Sequence, residues 1–82
     1  MGAESGVTPV QVLDCKGLLC PVPIIRLSKA IKAISVGQAI EMLATDPGSM
    51  PDMEAYQKQT GHTLLVSEKQ GDVFRFVVQR TK

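Results

Sequence analysis

The sequence predicts an α/β (α+β) two-layer sandwich, in which two helices pack on one face of a four-stranded mixed sheet in the order βαβαββ. Three observations predict this class. Segments of strand composition alternate with segments of helical periodicity, turn residues separate them, and the chain finishes with two strands joined by a tight turn. Short βα units favour right-handed crossovers between parallel strands, whereas the final hairpin adds an antiparallel pair.

The first strand and the first helix are predicted on either side of a cysteine, Cys20. Residues 10–14 have strand composition, and Pro9 suits the start of a strand. After Cys20, apolar residues recur at the spacing of a helix and basic residues occupy the opposite side, with Gly37 as the predicted end. The apolar side consists of Ile24, Leu27, Ala30, Ile31 and Ile34, and the basic side of Arg26, Lys29 and Lys32.

The second strand and the second helix follow, with a turn between them. Residues 38–44 are predicted as a strand, and a helix should run from about residue 50 to residue 60. Ser49 and Asp52 have approximately the spacing of a capping box, and Gly61 can adopt the left-handed conformation that ends a helix.

The last two strands are predicted at residues 63–68 and 73–78, with a turn at 70–72. We expect residues 1–6 to be a flexible tail and residues 7–82 to form a single domain. In the last strand, Phe74, Phe76 and Val78 alternate with Val73, Arg75 and Val77, which is typical of a strand.

Composition limits what the chain can do. Hydrophobic residues make up 44% of the 82 residues and aromatic residues only 4%, so a folded, aliphatic core is expected. The net charge of +1 lacks the positive excess that is typical of nucleic-acid-binding proteins. So small a chain cannot enclose a deep cavity, and we expect any chemistry to occur at the surface with a partner completing the site.

The sequence also favours a cytoplasmic protein. It lacks an apolar stretch of about 20 residues, and its first residues do not have the pattern of a signal peptide. We therefore expect no membrane contact, a monomer in isolation, and reduced thiols at Cys15 and Cys20 rather than a disulfide.

Two prolines bracket the segment that follows Cys20. Pro21 and Pro23 have fixed φ angles, and each disfavours the helical conformation for the residue before it. Cys20 and Val22 are therefore predicted to be extended, and the cysteine should be held on a stiff segment that leads into the first helix. A cysteine that only packs in the core would not need both prolines.

The predicted position of Cys20 also has an electrostatic consequence. Unpaired N–H groups in the first helical turn, including those of Ile24 and Ile25, would stabilise a thiolate together with the helix dipole. Lys16 and Arg26 would add positive potential. We therefore expect the pKa of Cys20 to be lowered, provided that its side chain is exposed.

The chain resembles the TusA/SirA-like family of sulfur carriers in two motifs that span about residues 10–80. The first consists of Leu13-Asp14, Gly17-Leu18 and Cys20-Pro21-Val22-Pro23. The second consists of Thr45-Asp46-Pro47-Gly48-Ser49, followed by Asp52 and by Gly61-His62.

The resemblance implies a βαβαββ fold and a persulfide on Cys20. The sulfur would come from a donor such as a cysteine desulfurase or a rhodanese-like enzyme, and would pass to an acceptor protein, for example in tRNA thiolation or sulfur metabolism. Such a protein is a sulfurtransferase-type carrier rather than a self-sufficient enzyme, and it needs no metal or organic cofactor and no direct contact with nucleic acid. The residues implied to support the site are Asp14, Gly17, Pro21 and Pro23.

Two positions depart from the family pattern. Leu19 stands where well-studied carriers often have arginine, and Val22 stands where they often have glutamate. Both differences concern docking rather than thiol chemistry, so the pathway cannot be transferred from relatives. The donor, the acceptor and the choice between sulfur and selenium therefore stay open.

Other polar residues have competing interpretations. Cys15 could resolve the persulfide by forming a disulfide with Cys20, or it could simply pack at a strand end. No residues at metal-ligand spacing accompany His62, which is instead predicted to cap the second helix and to start a strand. Lys16, Arg26 and Lys29 could form a docking surface or a solvated face. Turn and cap roles are predicted for Asp14, Asp46 and Asp52.

Two alternative functions are weighed against sulfur transfer. A regulatory or adaptor module of the same fold would bind a partner without moving sulfur. Nucleic-acid binding rests only on the analogy with other two-layer α/β folds, and the near-neutral charge argues against it.

Overall fold

A computed structural model describes residues 8–82 of the chain. The predicted tail, residues 1–6, lies outside this range. The elements follow the predicted βαβαββ order, which confirms the fold class. They are β1 (Gln11–Cys15), α1 (Val22–Ile31), β2 (Ala39–Ala44), α2 (Ser49–Thr60), β3 (Thr63–Gln70) and β4 (Val73–Gln79).

The four strands form one mixed sheet in the order β1-β2-β4-β3. β1 and β2 are parallel, and Cys15 at the end of β1 is the register partner of Ala44 at the end of β2. β4 is antiparallel to both β2 and β3. Because β1 and β2 end side by side, the loops that follow them meet at the same edge of the sheet.

Both helices pack on the same face of this sheet, as predicted. Alternate residues of β1, β2 and β4 form one hydrophobic cluster with α1 and α2. A fully buried side chain such as Leu27 or Phe76 contributes about 1.5–3 kcal/mol through its burial. The sheet contributes Leu13, Cys15, Ile40, Met42, Ala44, Phe74, Phe76 and Val78 to the cluster, and the helices contribute Leu27, Ile31, Met53 and Tyr56.

Helix α1 is shorter than predicted. It ends at Ile31 rather than near Gly37. Ser35 and Gln38 form a turn that replaces helical hydrogen bonding: the Ser35 N–H donates to Gln38 Oε1 at 2.7 Å, and the Gln38 N–H donates to the Ser35 carbonyl at 3.0 Å. Ile34 still reaches the core from this connection, which explains why its apolar spacing looked helical.

Helix α2 confirms one predicted end and corrects the other. Gly61 ends the helix with a φ of 80°, and its N–H donates to the Gln57 carbonyl at 2.9 Å. At the start, the predicted capping box is wrong, because Ser49 is buried within the helix and Gly48 precedes it as N-cap. Within residues 8–82, neither helix is long and apolar enough to cross a bilayer.

Candidate functional site at Cys20

The loops that follow β1 and β2 are joined by two hydrogen bonds. The Gly17 N–H donates to Thr45 Oγ1 at 2.9 Å, and the Cys20 N–H donates to Asp46 Oδ2 at 3.0 Å. The two sequence motifs therefore form one structural unit, in which the second motif holds the backbone of the cysteine loop.

A tight turn directly after β1 aims the chain towards Cys20. The Leu18 N–H donates to the Cys15 carbonyl at 3.1 Å, and Gly17 has a φ of 83°, a left-handed conformation that glycine adopts most readily. The Lys16 N–H donates to Asp14 Oδ1 at 3.1 Å. Asp14 and Gly17 thus stabilise the loop, and their support of the function stays a prediction.

Cys20 itself is exposed and lies just before helix α1. Its peptide bond to Pro21 is cis. Helix α1 begins at Val22 with Pro23 as its second residue, so the extended conformation predicted for Val22 is wrong. Proline is tolerated in a first helical turn because an N–H at that position would have no partner within the helix.

The electrostatic environment of Cys20 is the opposite of the one predicted. A hydrogen bond to the Asp52 carboxylate is the largest cause that raises the pKa of the Cys20 thiol, and desolvation and the negative charges of Asp52 and Asp46 raise it further. A carboxylate accepts the proton of a neutral thiol but repels a thiolate. In the free protein, the neutral form of Cys20 is therefore favoured.

Of the two N–H groups that were expected to stabilise a thiolate, that of Ile25 is engaged elsewhere, as is that of Val22. The Val22 N–H donates to the Leu19 carbonyl at 2.9 Å, and the Ile25 N–H donates to the Pro21 carbonyl at 3.1 Å. Pro21 and Pro23 have no N–H to offer. The proline-rich start of α1 is thus rigid, but it leaves few amides to stabilise a negative sulfur.

The basic residues do not compensate. Arg26 Nη1 donates to the carbonyl of Asp14 at 3.2 Å, and its charge lowers the pKa of Cys15 rather than that of Cys20. Lys16, Arg26 and Lys29 are all exposed. Their placement leaves them available for contact with a partner.

A small cleft lies beside Cys20. Its volume is about 190 Å³, including space open to solvent. No part of the cleft has room to enclose a water molecule, so it is a surface depression that cannot enclose a substrate. Its polar residues are Cys20, Asp46, Ser49 and Asp52, and its apolar residues are Pro23, Ile24, Met42 and Met53.

Asp46 and Asp52 are functional candidates that the sequence reasoning assigned only to turns and caps. Asp46 does act in the turn, because its Oδ1 accepts the Gly48 N–H at 3.2 Å, but its other oxygen holds Cys20. A Cβ built on Gly48 would lie 3.8 Å from both Asp46 oxygens and 3.9 Å from Asp52 Oδ2, so the two carboxylates converge. The predicted parallel pairing of the first two strands could have indicated these two residues, because parallel pairing brings the loops that follow the strands to the same edge of the sheet.

The second cysteine lies in a different environment. Cys15 has no exposed surface, and burial is the main cause that raises the pKa of its thiol. Both cysteines are free. This position favours the packing interpretation of Cys15 over the resolving role.

His62 lies outside the site. Its Nδ1 accepts the Thr81 N–H at 3.2 Å, and burial, with the charges of Arg80 and Lys82, lowers its pKa. Residues 8–82 contain no group of three or more His, Cys, Asp or Glu side chains that could hold a metal ion.

Fold and site together define a two-layer α/β domain that presents one exposed cysteine at the start of a helix. Residues 11–80 match the family described as Sulfurtransferase TusA, and the chain belongs to this family. The family resemblance seen in the two motifs is thereby confirmed.

Two comparisons illustrate the relationship. The chain is 45% identical over 71 residues to the sulfur carrier protein TusA of Allochromatium vinosum, which covers 87% of this chain and 93% of the relative. The crystal structure of a SirA-like protein from Desulfitobacterium hafniense has a TM-score of 0.76 at 21% identity, covering 89% of this chain and 100% of that one. The second likeness supports the fold alone.

Proposed function

We propose that this protein is a sulfur carrier that holds one sulfur atom as a persulfide on Cys20 and passes it to an acceptor protein. The observation that carries the proposal is an exposed cysteine whose backbone is fixed by Asp46 beside a shallow cleft at the start of a helix. Membership of the TusA family and the likeness to a relative named sulfur carrier protein support this function.

Loading is a thiol exchange in which atoms and electrons balance. Cys20 loses its proton, its sulfur attacks the terminal sulfur of a donor persulfide, and the S–S bond of the donor breaks. The donor cysteine leaves as a thiolate and takes up a proton. Cys20 then carries the terminal sulfur, and no external oxidant or reductant is consumed.

Unloading repeats the same chemistry in the other direction. A thiolate of the acceptor attacks the terminal sulfur of the Cys20 persulfide, and Cys20 is released and protonated. The cleft encloses too little space to bind a substrate by itself, so each partner supplies the rest of the site. A cysteine desulfurase or a rhodanese-like protein is the class of donor we propose.

The exposed face of α1 next to Cys20 is the docking surface we propose for these partners. Leu19, Val22 and Ile25 are 70%, 41% and 49% exposed. Arg26 and Lys29 lie on the same exposed face. Apolar side chains with charged neighbours suit a partner surface that has an apolar centre and an acidic rim.

Intact-mass measurement tests the proposal. Incubation with a cysteine desulfurase and free cysteine should add one sulfur atom, and a reductant should remove it. Cys20→Ser should abolish the gain, whereas Cys15→Ala, the matched control at the buried cysteine, should retain it. If neither a desulfurase nor a rhodanese-like donor adds sulfur to a protein whose Cys20 is still a free thiol, the carrier function is refuted and the adaptor function is favoured.

A further inference from the structure

Cys20 lies between two carboxylates that come from different elements. Asp46, in the loop after β2, accepts the backbone N–H of Cys20 at 3.0 Å. Asp52, in the first turn of α2, lines the same cleft as Cys20, and a hydrogen bond between the two side chains is the main cause that raises the pKa of the thiol. The first carboxylate positions the backbone of the cysteine, and the second lies in the cleft that the reacting side chain lines.

We propose that Asp52 holds Cys20 in its neutral thiol form in the free protein and thereby keeps the undocked carrier weakly nucleophilic. This inference rests on the proposed function, because it concerns the same sulfur atom. A docked partner must then take the thiol proton or separate the two side chains before Cys20 can react.

No lysine or arginine in the described part of the chain pairs directly with these carboxylates. Within residues 8–82, neither Asp46 nor Asp52 forms a salt bridge with a lysine or arginine. Arg26, on the neighbouring helix α1, donates instead to the carbonyl of Asp14. The charged groups that face Cys20 from the β2–α2 loop and from α2 are therefore both negative.

The effect on reactivity follows from two opposing trends. A carboxylate next to the sulfur reduces the fraction of thiolate at neutral pH, because it destabilises the charged form. It also makes the remaining thiolate intrinsically more nucleophilic, but nucleophilicity rises by only about 0.4–0.5 log units for each pKa unit. The loss of thiolate therefore dominates, and the net result is slower reaction at neutral pH.

Alkylation of Cys20 tests this role. In Asp52→Asn, we expect iodoacetamide to modify Cys20 severalfold faster than in the wild-type protein at neutral pH, with the whole pH–rate profile displaced to lower pH. Glu54→Gln is the matched control, because it removes one exposed negative charge from the same helix and should leave the rate unchanged. Asp52→Glu should restore much of the slow reaction. Peptide mapping assigns the modified cysteine.

Three further outcomes decide the inference. An unchanged rate in Asp52→Asn would mean that this carboxylate does not control the thiol, and a slower rate would identify it as a proton acceptor instead; either result overturns the proposal. Asp52→Ala, which removes the same carboxylate, should also accelerate alkylation and supplies the test if Asp52→Asn folds poorly; an unchanged rate there overturns the proposal as well. Since alkylation needs no sulfur donor, these results stand apart from the persulfide measurement.

Discussion

The two cysteines of this chain are five positions apart and have opposite surroundings. Cys15, at the end of strand β1, has no exposed surface and belongs to the hydrophobic core. Cys20 is exposed beside a cleft, on a loop that Asp46 and Thr45 hold in place. One thiol therefore contributes packing, and the other is available to a partner.

The pKa of each thiol is raised, but the physical causes differ. Burial is the main cause at Cys15, and it can be relieved only by opening the fold. A hydrogen bond to the Asp52 carboxylate is the main cause at Cys20, and a single side-chain movement or a docked partner can relieve it. The direction of a pKa shift thus says less about reactivity than the origin of the shift does.

The sharpest test of this contrast is selective labelling of the native protein. Iodoacetamide should modify Cys20 at least about a hundredfold faster than Cys15, because a residue of a core strand reacts only after local or global opening. Mass spectrometry of a labelling time course would measure both rates. In urea the two cysteines should be labelled together, which is the control for intrinsic reactivity.

The same experiment on sulfur-loaded protein tests the resolving role of Cys15. If Cys15 is confined to the core, the persulfide should persist without forming a disulfide between Cys15 and Cys20. Release of sulfide together with a Cys15–Cys20 disulfide would contradict the division of roles between the two cysteines.

Serine substitutions at the two positions measure how much each cysteine contributes to the stability of the fold. Cys15→Ser should lower the free energy of unfolding by about 1–3 kcal/mol, because it places a hydroxyl group among apolar side chains. Cys20→Ser should change it by no more than about 0.5 kcal/mol, since that side chain is exposed. Urea unfolding monitored by circular dichroism gives both values. Equal losses at the two positions would show that exposure does not distinguish them.

The fold was predictable because local signals and chain topology agree. The apolar spacing of Leu27 and Ile31 predicted the buried side of α1, and Gly61 marked the end of α2. The end of α1 was missed because Ile34 continues the apolar spacing from a turn rather than from a helix. A periodic pattern records which side chains are buried, and it does not require that all of them lie on one element.

The site was only partly predictable. Its cysteine and its proline-bracketed lead-in follow from local sequence, because proline constrains its immediate neighbours. The carboxylates at Asp46 and Asp52 are more than twenty residues away from Cys20, and their contacts depend on the parallel pairing of β1 with β2. Local reasoning therefore predicted a lowered pKa for Cys20, and long-range contacts reverse the direction.

The smallest expected effect is a difference in stability at alkaline pH. Burial raises the pKa of Cys15 in the folded protein above its ordinary value of 9.0, so the unfolded chain loses this proton first as the pH rises. Stability from this thiol is then complete below pH 9.0 and falls above it. Comparing wild-type with Cys15→Ala on both sides of that pH isolates the effect, because every other ionisable group is present in both proteins. The stability advantage of the wild-type protein should shrink on the alkaline side. If it stays constant instead, Cys15 ionises as readily in the folded chain as in the unfolded one, and the buried thiol is less isolated from water than its place in the core indicates.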